Sequence, residues 1–298
     1  MTDRRRFLGG AIAGITAAMT PTLGAAQDAR IRERPIPRTG EKLPVVGLGN
    51  SSVFQNGDIA RSRALLETLQ AFGGRYVDVS DRSRDVVGGI AASLPGGDAL
   101  FLGTYIQAGS EAGDQREARR HRELQDKPAL DLVLTRHIDD FAARSDSFRA
   151  LKQDGLARYV GVARHQQQYH EAMMRLMERG AVDFVQVNYS ILEPEAEQRL
   201  LPMAQDLGVT ILINRPFING EYFSIVGDRE LPGWAGEIGC DTWAKVSLKF
   251  ILAHPAVNCV LTETANPRHA RDNLGAGLGE LPDARLRARM RETVLSFV

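Results

Sequence analysis

From Arg34 onward the chain alternates short apolar runs with longer stretches in which apolar side chains recur every three or four positions. The apolar runs fall at 45–49, 75–80, 99–106, 130–137, 158–164, 182–189, 210–215 and 258–264. Each is brief and rich in Val, Ile, Leu or aromatic residues, the pattern of strands buried on both faces. The intervening stretches read as helices. Residues 58–72 place Leu65, Leu66, Leu69 and Phe72 on one side and stop at Gly73-Gly74. Asp241 is positioned to cap a helix that turns Trp243, Val246, Phe250 and Ile251 inward and ends near Pro255.

Eight strand–helix repeats in one domain of this size predict a closed (β/α)8 barrel, the TIM-barrel architecture. The competing arrangement is an open doubly wound sheet, but no Gly-x-Gly-x-x-Gly turn follows an early strand, and Gly47-Leu48-Gly49 is not that motif. Residues 35–44 read as a hairpin turning at Thr39-Gly40 and placed to close the barrel bottom.

The N-terminus follows different rules. Arg4-Arg5-Arg6-Phe7-Leu8 precedes a mild Gly/Ala/Ile/Thr run, then Pro21 and the small residues Gly24-Ala25-Ala26. A basic start, a modest apolar middle and a small-residue exit describe a signal peptide. The arginines before Phe-Leu resemble a twin-arginine signal, which implies handling by the twin-arginine export machinery and a periplasmic or secreted destination. The expected organisation is a signal over residues 1–26 and a barrel over 27–298. The whole chain has 37 basic and 37 acidic side chains. Losing Arg4, Arg5, Arg6 and Asp3 with the signal leaves 34 and 36, a net charge of −2. Such a balance argues against a nucleic-acid partner, and no run approaches the ~20 apolar residues of a membrane span.

Several segments are familiar. The 35–49 stretch, Gly74-Arg75-Tyr76-Val77-Asp78, Asp131-Leu132-Val133-Leu134, Tyr159-Val160-Gly161-Val162, Gln186-Val187-Asn188-Tyr189, Asn214-Arg215-Pro216-Phe217 and Asn266-Pro267-Arg268-His269…Asn273-Leu274 together resemble the aldo/keto reductase family. The resemblance implies NADP(H)-linked carbonyl reduction in a (β/α)8 barrel, with an Asp, Tyr, Lys and His at the reacting centre. Here only Asp78 matches. The family tyrosine falls in Asp81-Arg82-Ser83-Arg84, the lysine position is Tyr105, and the histidine position is Arg136, with His137 one place further and therefore on the opposite strand face. For the cofactor the resemblance implies Gln186, Arg215, Arg268, His269 and Asn273. The family's glycine phosphate loop on the last strand is replaced by Leu261-Thr262-Glu263.

The strand ends therefore offer two readings of a small-molecule site. One is a rewired oxidoreductase in which Asp78, Tyr105, Arg136 and His137 act, Arg136 lowering the Tyr105 phenol pKa. The other is a non-catalytic barrel, a pseudoenzyme holding a nucleotide or small anionic ligand among arginines including Arg82, Arg84, Arg136, Arg164 and Arg215. No His/Cys spacing indicates a metal. His121 is expected on a solvated helix face, His254 against last-turn carbonyls, Met173, Met174 and Met177 in the core, and Cys240 too far from Cys259 to bridge.

Overall fold

The computed structural model describes residues 30–80 and 83–298. The proposed signal, Asp81 and Arg82 lie outside the described residues, as does the side chain of Asp140. A two-stranded antiparallel hairpin, β1 (Glu33–Pro35) and β2 (Lys42–Pro44), comes first. Eight parallel strands follow: β3 (Val46–Leu48), β4 (Tyr76–Val79), β5 (Phe101–Tyr105), β6 (Leu130–Thr135), β7 (Ala157–Ala163), β8 (Phe184–Asn188), β9 (Thr210–Asn214) and β10 (Val257–Thr262). They close in sequence order, β10 pairing with both β9 and β3. The barrel and all eight expected strands are present, each within a few residues of its expected bounds.

Side-chain alternation sorts each strand into two cores. The outward set, including Val77, Leu102, Val133, Val160, Val185, Ile211 and Val260, packs beneath the helices. The inward set fills the barrel: Tyr76, Phe101, Tyr105, Leu132, Leu134, Tyr159, Ala163, Phe184, Leu212, Cys259 and Leu261. Aromatic rings cluster low in this interior, with Phe101 5.7 Å from Tyr76 and 6.0 Å from Tyr159 between ring centroids. Two strand glycines make room for them. A Cβ at Gly103 would lie 2.3 Å from the Tyr76 hydroxyl, and one at Gly161 2.4 Å from the Phe184 carbonyl oxygen.

The hairpin closes the floor. Ile36 and Leu43 enter the interior cluster, and the turn at Thr39-Gly40 reaches Tyr159, whose hydroxyl lies 2.9 Å from Thr39 Oγ1 and donates to Glu41 at 2.8 Å. Arg34 donates from below to the carbonyls of Leu252 and His254 at 2.6 and 2.9 Å, and to that of Val257.

The helix Ile59–Ala71 begins where expected, with Asp58 accepting from Arg61 N at 3.0 Å. The helix Trp243–Leu252 starts differently. Its cap is Thr242, accepting from Lys245 N at 3.2 Å, while Asp241 binds the Lys245 ammonium. Thr242 has the extended backbone of a helix cap, φ −139° and ψ 153°, which aims its oxygen at the first turn. The expected place of His121 is also wrong. In the helix Glu111–Leu124 it is fully buried, with carboxylate oxygens of Asp85 and Glu117 4.0 and 3.8 Å from its ring nitrogens. His254 acts through its ring, Nδ1 accepting from Ala256 N at 3.2 Å, rather than on last-turn carbonyls. The three methionines are core residues, and Cys240 and Cys259 are buried free thiols.

Candidate functional site

At the C-terminal end of the barrel the inward alternation continues past the apolar core into polar residues. Asp78 follows Tyr76, Tyr105 follows Gly103, Arg136 follows Leu134, Gln186 follows Phe184, Asn214 follows Leu212, and Glu263 follows Leu261. Together with Asn50, Gln55, Arg164, His165, Arg215 and Asn219 they line a cavity of about 310 Å³. This is the end at which (β/α)8 barrels carry their ligand sites.

The floor is a buried cluster of three. The Tyr105 hydroxyl lies 3.1 Å from Gln186 Oε1 and 3.4 Å from Asp78 Oδ2, and Gln186 Nε2 donates to Asp78 Oδ2 at 3.2 Å. Burial pushes the Asp78 carboxyl up to about 7 against the opposing hydrogen bond from Gln186 and the charge of Arg136. The expected fall in the Tyr105 pKa is reversed. Arg136 does lie over the ring, 4.5 Å from its centroid, but burial and the Asp78 charge outweigh it and drive the phenol well above its ordinary value.

The cations sit along one arc. Arg136, beyond β6, donates to Ser80 Oγ at 2.9 Å. Arg164, just after β7, stacks its guanidinium 4.7 Å from the Tyr169 ring. Arg215, just after β9, has Glu193 3.8 Å away. His165 is held below its usual pKa by burial and by Arg215 and Arg164. On the opposite side Glu263 folds across Gly49, where its Cγ would lie 2.6 Å from an added Cβ. Glu263 remains open to solvent on one side, yet desolvation raises its carboxyl while Arg136 pulls it down.

The loop after β9 is strained. Arg215, Ile218 and Asn219 have φ of 51°, 50° and 54°, in the left-handed region that side-chain-bearing residues avoid. It places Arg215 and Asn219 in the cavity and extends the site sideways. Arg215, Asn219 and Glu263 also line an adjoining hollow with Phe217 and Phe223, and Phe217, Phe223 and Glu263 border a third reaching Thr242, His269 and Asn273. These three hollows, linked by shared lining residues, make up a segmented groove from the barrel mouth to the helix Pro267–Gly275.

The structure brings Asp78, Tyr105, Arg136, Arg164, Gln186 and Arg215 into one cavity, and His269 and Asn273 to the far end of the groove. His137 is set apart, exposed and outside the cavity lining, with Nε2 3.1 Å from Gln107 Oε1. Arg268 is exposed and outside the groove's lining residues. Arg84 also departs from the expected arginine group: it donates to the Tyr105 carbonyl at 2.7 Å and pairs with Glu117. Asn50, Gln55, Asn219, Phe217 and Phe223 join the site without having been singled out. For Asn50 the signal was available, since it directly follows β3 and Gly49. Among the described residues no group of three or more His, Cys, Asp or Glu is arranged to hold a metal ion.

Residues 103–224 match the aldo/keto reductase family model. Solved structures with this fold include the aldo-keto reductase AKR11C1 from Bacillus halodurans in its holo form, at TM-score 0.72 and 18% identity, covering 89% of this chain and 96% of that one. An aldo/keto reductase from Klebsiella pneumoniae in complex with NADP and acetate aligns at TM-score 0.65 and 18% identity, over 86% of this chain and 93% of its own. The aldose reductase from Schistosoma japonicum aligns at TM-score 0.65 and 15% identity, over 87% and 92%. No curated protein matches the chain. These likenesses establish a fold shared with aldo/keto reductases.

Proposed function

We propose that this chain is an NADP(H)-linked oxidoreductase of the aldo/keto reductase type, acting on carbonyl compounds with a rearranged proton source. The observation that carries the reading is the groove joining the Asp78–Tyr105–Gln186 cluster to His269 and Asn273. The NADP complex of the Klebsiella pneumoniae structure supports the choice of cofactor.

The fit rests on unsatisfied groups. Buried Asn50 Oδ1, Arg164 Nε, Asn214 Oδ1 and Arg215 Nε have no hydrogen-bond partner, and each belongs to a residue lining the cavity. Buried polar groups left so are costly unless water or a ligand meets them. Asn219 would hold the cofactor near the mouth, and His269 and Asn273 at the far end. When bound, NADPH supplies the hydride. Glu263 must turn off Gly49 to clear the path, which its solvent-open side permits.

The chain's own residues supply the proton. Asp78, with a pKa of about 7, carries a transferable proton at neutral pH. Tyr105 sits too high to ionise readily, so its hydroxyl serves as the hydrogen-bonded relay between Asp78 and a ligand oxygen. Hydride and proton together convert the carbonyl to an alcohol.

Two observations favour a second reading, a binding protein without turnover: Glu263 occupies the space over Gly49, and both polar atoms of the Gln186 amide are already engaged within the floor. Calorimetric titration with NADPH and NADP⁺, followed by NADPH oxidation with a panel of aldehydes, ketones and quinones, separates the two. Binding with turnover supports the oxidoreductase. Binding without turnover supports the second reading, and no binding at millimolar cofactor overturns the first.

The twin-arginine-like segment supports export to the periplasm. Lacking a pool of free NADPH there, such an enzyme has to keep and recycle a bound molecule, so cofactor is expected to copurify with the folded protein.

A further inference from the structure

The order of strands around the barrel divides the cavity into two unlike walls. Adjacent β6, β7, β8 and β9 bring Arg136, Arg164, Gln186 and Arg215, whereas β10, β3 and β4 bring Glu263, Asn50 and Asp78. Cations therefore line one arc and hydrogen-bonding oxygens the other. From this division we propose that the cavity takes a short oxo acid, its carboxylate against Arg164 and Arg215 and its carbonyl toward Asp78 and Tyr105. The carbonyl half rests on the function proposed above; the carboxylate half stands on the arginines alone.

Three features point to an anion. Among the described residues no carboxylate lies within ion-pair distance of Arg164, and Arg215 has only Glu193, at 3.8 Å. The Nε atoms of both are buried without a partner. A guanidinium presents several donors in a planar fork that matches a carboxylate, so two such groups facing one cavity reward a negatively charged ligand over its neutral isostere. His165 lies with them in the cavity lining and adds a further ring N–H donor. A cavity of about 310 Å³ limits the ligand to a short chain.

The same arginines are suited to a phosphate of the cofactor, and the test is arranged to tell these apart. Calorimetry would compare 2-oxobutyrate with 2-oxobutyramide, each titrated into the full folded chain alone and into protein saturated with NADP⁺, where no reduction occurs. The acid is expected to bind at least tenfold more tightly than the amide in both. Arg164→Gln should reduce that preference to less than threefold, and Arg164→Lys should restore part of it, with thermal melts confirming that both variants fold.

Equal affinity for acid and amide, binding of neither, or a preference undiminished in Arg164→Gln overturns the assignment. A preference that vanishes once NADP⁺ is bound also overturns it, by giving the arginines to the cofactor. A separate NADP⁺ titration tests the function proposed above: failure there with the acid preference intact overturns that function and its carbonyl half, and supports carboxylate recognition.

Discussion

Asp78 decides much of the chemistry and carries a cost that can be measured. Its carboxyl is shifted upward to about 7 when folded, against ~3.9 in an unfolded chain. The folded state therefore binds the proton more tightly. Stability from this group is fully present below about pH 4 and is lost as pH rises through about 7. At ~1.4 kcal/mol per unit the loss is on the order of 4 kcal/mol as an upper figure. Asp78→Asn should then gain stability relative to wild type between pH 5 and pH 8, read by urea unfolding at the two values. A pH-independent difference would refute the link between burial and charge. In activity, kcat/KM should fall about tenfold per unit above pH 7 as the acid is lost. Tyr105→Phe removes a hydrogen bond that holds the Asp78 carboxyl down. It should lower kcat and move that alkaline limb to higher pH, a displacement that loss of packing alone does not produce. Leaving Gln186 Oε1 without its donor should also cost about 1–3 kcal/mol of stability.

The strands were legible because unbroken apolar runs between polar stretches have few other uses, and their alternation carried directly into the site. Inward parity alone puts Asp78, Tyr105, Arg136, Gln186 and Glu263 on one face and His137 on the other. What alternation misses lies in loops and in packing between helices. The charged surroundings of His121 hid its burial beside Asp85 and Glu117. Asn219, Phe217 and Phe223 reach the groove through a backbone with positive φ at non-glycine residues, and no pattern of side chains announces that. The loop offers its own test. Ile218 is buried with φ of 50°, so Ile218→Ala and Ile218→Gly both delete its packing, but only glycine relieves the backbone. Thermal or urea unfolding should find the Gly variant more stable than the Ala variant by about 1 kcal/mol, the reverse of their order in a helix.

At the scale of the whole molecule the chain combines a closed eight-stranded barrel with a polar mouth lined by Asp78, Tyr105, Arg136 and Gln186. The proposed export route is tested separately. Residues 1–26 fused to a folded reporter should direct it to the periplasm, and Arg4→Lys with Arg5→Lys should hold it in the cytoplasm, read by cell fractionation. Unchanged export of the double variant would assign the segment to another route.

The floor hairpin has a consequence for the order of assembly. Arg34 is held by carbonyls at residues 252, 254 and 257, more than two hundred positions later in the chain. Ile31 and Arg32 donate to the carbonyls of Phe72 and Gly277. The beginning of the described chain is therefore seated by its last third and cannot be fixed until synthesis is almost complete. Its docking comes late in folding, at the end of the barrel opposite the polar mouth. Machinery gripping the N-terminus would handle the molecule from its closed end and leave a loaded mouth undisturbed.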